Sequence, residues 1–105
     1  GDDDRTVGYP RTPITSGGAL DRLLARHENL YLDLSAGSGA NAMSRDPAFA
    51  RGFVQRHWRR MLWASDYCVV HQHVPQVAWI ASLDVSPEIH DAIVDGNARR
   101  LLGKR

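Results

Sequence analysis

Residues 60–67 read Arg60-Met61-Leu62-Trp63-Ala64-Ser65-Asp66-Tyr67, an apolar run that begins on a basic residue and stops on a carboxylate. A short apolar run of this kind fits a buried strand. Side chains alternate along a strand, so Leu62, Ala64 and Asp66 share one face. An acid has no place at the end of a buried strand unless a partner or a reaction uses it. Asp66 is therefore the first candidate functional residue, with capping of the next turn or pairing with an arginine as the structural alternative.

The flanks of the run decide how the strand is used. Residues 30–35 (LYLDLS) alternate with period two, placing Leu30, Leu32 and Leu34 on one side and Tyr31, Asp33 and Ser35 on the other. Residues 36–45 (AGSGANAMSR) read as a loop, and Asp46-Pro47 then opens a helix over 46–58, a capping carboxylate followed by proline at the first helical position. Phe49, Phe53, Val54 and His57 supply its buried face.

Upstream, residues 1–18 are loop-rich, with Pro10, Pro13, Gly17 and Gly18 and a short strand around Thr6 to Tyr9. A helix follows over 19–28, Ser16 its cap, with Leu20, Leu23, Leu24 and His27 spaced i, i+3, i+4, i+7 on one face. Downstream, residues 75–103 hold the C-terminal helices. The first starts near Pro75 and turns Val77, Ile80 and Ala81 inward. Ser86-Pro87 opens the last, with a buried stripe of Ile89, Ala92, Ile93, Gly96, Asn97 and Leu101 that stops at Gly103. Asn97 on that stripe is expected to satisfy backbone groups.

Strands over 30–35 and 61–66 separated by a helix imply parallel pairing through a right-handed crossover. Two parallel strands are too few to stand alone. The expected fold class is α/β, a slice of a larger structure. In a (β/α)8 barrel the leucine face of 30–34 would meet the helix ring, while Tyr31, Asp33 and Ser35 would look inward. Asp66 would then sit at the carboxyl end of its strand, where such barrels keep their reactive groups.

Composition narrows the function classes. The 105 residues are 43% hydrophobic and 24% charged, and thirteen basic against twelve acidic residues leave a net charge of +1. That gives no electrostatic footprint for nucleic acid and no polybasic membrane anchor. The pairs Arg59-Arg60 and Arg99-Arg100 read as solvated helix ends. Cys68 is the one cysteine, so no internal disulfide forms and a reducing, cytoplasmic setting is the natural expectation. No apolar run approaches the roughly 20 residues of a membrane span. The opening Gly1-Asp2-Asp3-Asp4 lacks a methionine and reads as the solvated end of a piece of something longer.

Four stretches in order, NLYLDLSAGSG, RDPAFARGF, RMLWASDY and DAIVDGNARRLLG, together resemble the C-terminal portion of the amidohydrolase-related (amidohydrolase 2) family, from about Tyr9 to Gly103. The resemblance implies a C-terminal fragment of a distorted (β/α)8 TIM barrel, the last two to three strands with their helices. It implies a metal-dependent hydrolase or decarboxylase, a small-molecule substrate and a divalent metal, zinc being the first expectation. The strand at 61–66 would be the eighth of that barrel. Asp66 would be the active-site acid that binds the metal or accepts a proton from its water.

The chain departs from the family pattern where the remaining metal ligands are concerned. A His-x-His pair on the first strand and histidines on the fifth and sixth have no counterpart before residue 27. His71-Gln72-His73 has the His-x-His form but follows the eighth strand, where a loop or surface role is expected. The family often carries glycine in place of Ala64 and proline in place of Cys68; Cys68 is expected to fill space.

Among lesser candidates, Ser35 and Gly37 of the SAGSG stretch would contact substrate on the catalytic face. A lone GxG after a strand is a weak phosphate signal, and Ser35 has no Gly-x-Ser-x-Gly elbow. His27 and His57 read as packing residues, and Asp33 as a lining acid or an arginine partner. The enzymatic reading is thus a barrel fragment, inactive alone because one carboxylate cannot hold a catalytic metal. The alternative is a truncated, non-catalytic α/β module that self-associates as a homo-oligomer to cover open strand edges.

Overall fold

The computed structural model describes residues 8–104. The Gly1–Asp4 run and the first half of the strand expected around Thr6 to Tyr9 lie outside the described residues, and Gly8 and Tyr9 form a bend. The sheet consists of β1 (Leu32–Asp33) and β2 (Met61–Leu62), paired in parallel with Leu32 opposite Met61 and Asp33 opposite Leu62. The Leu34 N–H extends the ladder to the Leu62 carbonyl at 2.9 Å. The parallel pairing is as expected, but each strand is far shorter than the apolar runs at 30–35 and 61–66.

The reason lies at the outer edge of β2. Successive residues of a parallel strand turn their N–H and C=O groups to opposite edges. Leu62 faces β1, so Met61 and Trp63 face away. The Met61 carbonyl accepts from Asn97 Nδ2 at 2.9 Å, and the Trp63 N–H donates to the Ile93 carbonyl at 3.1 Å. The C-terminal helical segment thus covers the edge that another strand would use, and the ladder stops there.

That segment runs as α5 (Pro87–Asp91), a π-helical turn (Ala92–Gly96) and α6 (Asn97–Leu101). Ser86 caps it, its hydroxyl accepting from the Ile89 N–H at 3.4 Å. The wide turn lets Ile89, Ile93 and Asn97, four residues apart, share the buried face. Leu101, expected on the same stripe, is half exposed because the helix outruns its support.

Helix α1 (Ala19–Arg26) shows a similar correction. Its N-cap is Gly18 rather than Ser16, and the N-cap residue has no side chain to cap with. Of the expected face only Leu24 is buried; Leu20, Leu23 and His27 are exposed. Its C-terminal end is built by Arg60, the first residue of the decisive run. The guanidinium donates to the carbonyls of Leu24 at 2.7 Å, His27 at 2.6 Å and, more weakly, Leu30 at 3.4 Å. The Leu24 carbonyl is one that a helix end leaves without a partner; the His27 carbonyl also accepts from the Leu30 N–H at 3.2 Å. Arg60 is therefore not a solvated end, whereas Arg100 is exposed as expected while also donating to the Arg59 carbonyl and to Asn97 Oδ1. Arg99 is paired with Asp95 on the surface.

Residues 36–45, expected as a loop, contain helix α2 (Ala36–Ser44). Ala36, Ala40 and Met43 fall at helical spacing, and Ala40 and Met43 are buried. The two glycines and the scarcity of large residues concealed that face. Gly39 is what lets α2 close onto β1. A Cβ there would lie 2.6 Å from the Leu34 carbonyl carbon and nearer still to its oxygen, and both are backbone atoms that cannot swing aside. Gly39→Ala is therefore expected to destabilise by about 1–3 kcal/mol, where alanine normally strengthens a helix. Gly37→Ala in the same helix, where a Cβ meets nothing within 4 Å, is the control for chemical denaturation.

Helix α3 (Pro47–His57) begins as expected. Asp46 accepts from the Phe49 N–H at 3.1 Å and, through its other oxygen, from the Ile14 N–H at 3.0 Å. These bonds hold its carboxyl below the usual carboxylate range and pin the incoming segment to α3. Ala50, Phe53, Val54 and His57 are its buried residues. Helix α4 (Pro75–Ser82) buries Gln76, Trp79 and Ile80; Val77 and Ala81, expected inward, are exposed. The correction is a rotation of the face, set by the Trp63 indole N–H donating to the Gln76 carbonyl at 3.2 Å.

His57 does more than pack. Its Nε2 lies 2.6 Å from Asp21 Oδ1, and Arg56 reaches the other oxygen at 3.0 Å, joining α3 to α1. The His57 hydrogen bond chiefly, with Arg56, holds the Asp21 carboxyl below its ordinary value against the opposing effect of burial. A lowered folded-state pKa stabilises above the unfolded value and is lost as pH falls through the folded one. The difference in thermal midpoint between wild type and Asp21→Asn is thus expected to be full at pH 6 and to shrink below about pH 4. A difference independent of pH would remove this link.

Candidate active-site acid

Both strands end on the same edge of the sheet because they are parallel. Ser35 follows β1 and Asp66 follows β2, so both stand on the carboxyl edge, where open α/β sheets and barrels bind ligands. Met61 is fully buried against the helices, whereas Leu62 is half-buried and Ala64 and Asp66 are exposed. The face that ends in Asp66 is open.

Asp66 lies beyond the paired residues and has φ 53°, in the left-handed region. For a residue with a Cβ this costs of order 1–2 kcal/mol, least for Asp and Asn. A set of hydrogen bonds in the following loop offsets that cost. Gln72 Nε2 donates to the Asp66 carbonyl at 3.0 Å. Gln72 Oε1 accepts from the N–H groups of Cys68 at 3.0 Å and Val69 at 3.2 Å. The Tyr67 hydroxyl accepts from the N–H of His71, another residue in the left-handed region at φ 64°. The Tyr67 N–H donates to Ser65 Oγ at 3.2 Å. Among the described residues no side chain engages the Asp66 carboxylate.

The other candidates fall out differently. Ser35 is the half-buried N-cap residue of α2, without a side-chain capping bond. Gly37 is exposed in the first turn of that helix, so the GSG stretch is helix rather than a phosphate loop. Asp33 is exposed and, among the described residues, pairs with no arginine; its Oδ1 accepts from the Ser35 N–H at 2.8 Å. Cys68 is exposed, 3.5 Å from Gln72 Oε1, and fills no interior space. His71 and His73 are exposed, as a surface role requires. Sequence reading missed Gln72: attention fell on the two histidines, and nothing in the pattern marks the residue between them.

Among the described residues no group of three or more His, Cys, Asp or Glu is placed to hold a metal ion. The larger cavities described lie elsewhere. One of about 400 Å³ borders Leu20, Leu32, Ser38 and Arg45; one of about 670 Å³ lies between α2, α3 and α4, with Arg51 and Asp84 paired at 2.7 Å among its lining. Neither is lined by Asp66, Ser35 or Gly37. No described helix is long and apolar enough to cross a membrane.

Comparison with known proteins adds one match: the family model described as Amidohydrolase matches residues 18–104. No curated protein and no solved structure matches the chain.

Proposed function

The chain belongs to the amidohydrolase family, and on that premise we propose that it forms the C-terminal part of a metal-dependent hydrolase on a (β/α)8 barrel, with Asp66 as an active-site acid. The observation that carries this reading is that Asp66 is exposed in the segment leaving the carboxyl end of a parallel strand, four residues beyond Leu62. A carboxylate held there by a fixed turn can orient or deprotonate a water bound at the barrel mouth. The substrate class is small molecules carrying a C–N or C–O bond for hydrolysis, or a carboxylate for decarboxylation. Ser35 and Gly37, on the same edge, would border it.

The residues present do not by themselves fit the family's divalent metal, zinc in the first instance. Zinc takes four donors, at least three of them from protein in catalytic sites, and among the described residues Asp66 belongs to no group of three such donors. The isolated chain is accordingly expected to bind zinc weakly and to turn over nothing. The test is a chimera in which residues 18–104 replace the corresponding C-terminal segment of an active family member. Recovery of zinc-dependent turnover supports the proposal; a folded, zinc-loaded and inert chimera overturns it.

A second reading has its own observation. Ile93 and Asn97 already cover the edge of β2 that a neighbouring strand would occupy, as a self-sufficient, non-catalytic module requires. Among the described residues no strand pairs with the other edge of the sheet, on β1, and pairing there with a second copy would give a homo-oligomer. Sedimentation separates the two. A cooperatively melting monomer or dimer favours the module; ill-defined aggregates favour the interrupted barrel.

A further inference from the structure

We propose that Gln72 is the positioning residue of the Asp66 turn, a role that bears on chemistry only if Asp66 is the active-site acid proposed above. One side-chain amide contacts the backbone at three places. Its NH2 holds the Asp66 carbonyl at 3.0 Å, and its oxygen gathers the N–H groups of Cys68 and Val69 at 3.0 and 3.2 Å. The Gln72 N–H closes the loop onto the Val69 carbonyl at 3.0 Å.

The consequence is directional. Asp66 sits at φ 53°, and the carbonyl that Gln72 holds belongs to Asp66 itself. Releasing that carbonyl frees ψ of Asp66, and because the left-handed region is a joint φ/ψ well, φ then relaxes with it toward the extended region that most side chains prefer. The carboxylate would then leave its place beyond β2. The amide is uniquely suited here because it donates from one end and accepts at the other. Gln72 touches neither the carboxylate nor a reacting atom, so it acts through Asp66.

Isotope-labelled chain with Gln72→Ala or Gln72→Glu tests this by nuclear magnetic resonance. The strong intraresidue contact between amide proton and Hα at Asp66 reports the positive φ. In Gln72→Ala that signature is expected to vanish, and the Cys68 and Val69 amides to exchange roughly tenfold faster, the change for one ordinary hydrogen bond. Gln72→Glu keeps both acceptor bonds and loses only the donor, so Cys68 and Val69 stay protected while Asp66 alone relaxes. The Leu34 amide, in the sheet, is unchanged in both.

Persistence of the positive φ at Asp66 in both variants overturns the proposal. So does loss of Leu34 protection in step with the loop, which makes Gln72 a general structural residue. In the chimera, Gln72→Glu is expected to lower kcat about tenfold with KM unchanged, the pattern for a group acting on the transition state alone. Unchanged kcat in a chimera whose Asp66→Asn variant is impaired overturns the positioning role. An unimpaired Asp66→Asn variant instead overturns the active-site reading and leaves the magnetic-resonance result to decide the turn.

Discussion

Asp66→Asn in the active chimera is expected to lower kcat about a thousandfold, the middle of the range for removing a positioned proton acceptor. The substitution is clean because of the way the turn is built. Gln72 holds the backbone carbonyl of residue 66, not its carboxylate. Asparagine tolerates the left-handed region as well as aspartate does. Shape and turn therefore persist while the charge and the basic oxygen go. Two readouts separate the roles that family membership allows. Partial recovery on raising zinc identifies a lost metal donor, and no recovery identifies a lost proton acceptor. Asp33→Asn is the internal control, since among the described residues that carboxylate serves the Ser35 N–H next to it and no other group. A thousandfold loss at residue 33 with none at residue 66 would move the active site to β1.

How much of this was legible beforehand divides by the kind of signal. Asp46-Pro47 and Ser86-Pro87 announced their helices because a cap followed by proline is local chemistry that tertiary packing rarely overrides. The parallel pairing of β1 and β2 followed from the helical crossover between them. The strand ends did not, because a ladder extends only as far as its partner, and the partner of Trp63 is the distant Ile93 carbonyl. Helix α2 was hidden for a related reason: Gly39 is a poor helix former whose purpose, room for the Leu34 carbonyl, lies outside the helix. The exposed Leu20 and Leu23 of α1 have helical spacing and no described surface to bury it against. Asp66 was found from pattern and resemblance together, whereas Gln72 acts through backbone groups that any sequence would supply.

Asn97→Ala is expected to cost about 3 kcal/mol of stability, from stranding the buried Met61 carbonyl at about 1–3 kcal/mol and losing a second hydrogen bond, worth about 1 kcal/mol, to the part-buried Trp58 carbonyl, which keeps the Met61 N–H. Asn97 is fully buried. Its Nδ2 donates to the Trp58 carbonyl at 2.5 Å and the Met61 carbonyl at 2.9 Å, and its Oδ1 accepts from Arg100 at 2.7 Å. One side chain thereby joins the end of α3, the start of β2 and α6. For a chain of this size the loss corresponds to a fall in the thermal midpoint of about 10–20 °C. Asp95→Ala, which breaks only a surface pair with Arg99, should stay within about 0.5 kcal/mol. Asn97→Asp should be worse than alanine at neutral pH, because a carboxylate would face two carbonyl oxygens with no proton to offer. The signature of the mechanism is local. Without Asn97 the C-terminal helix loosens from the edge of β2, so the Trp63 amide, bonded to Ile93, should lose exchange protection ahead of Leu34 in the β1–β2 ladder. Equal loss at both would mean that Asn97 stabilises the core generally rather than covering the edge.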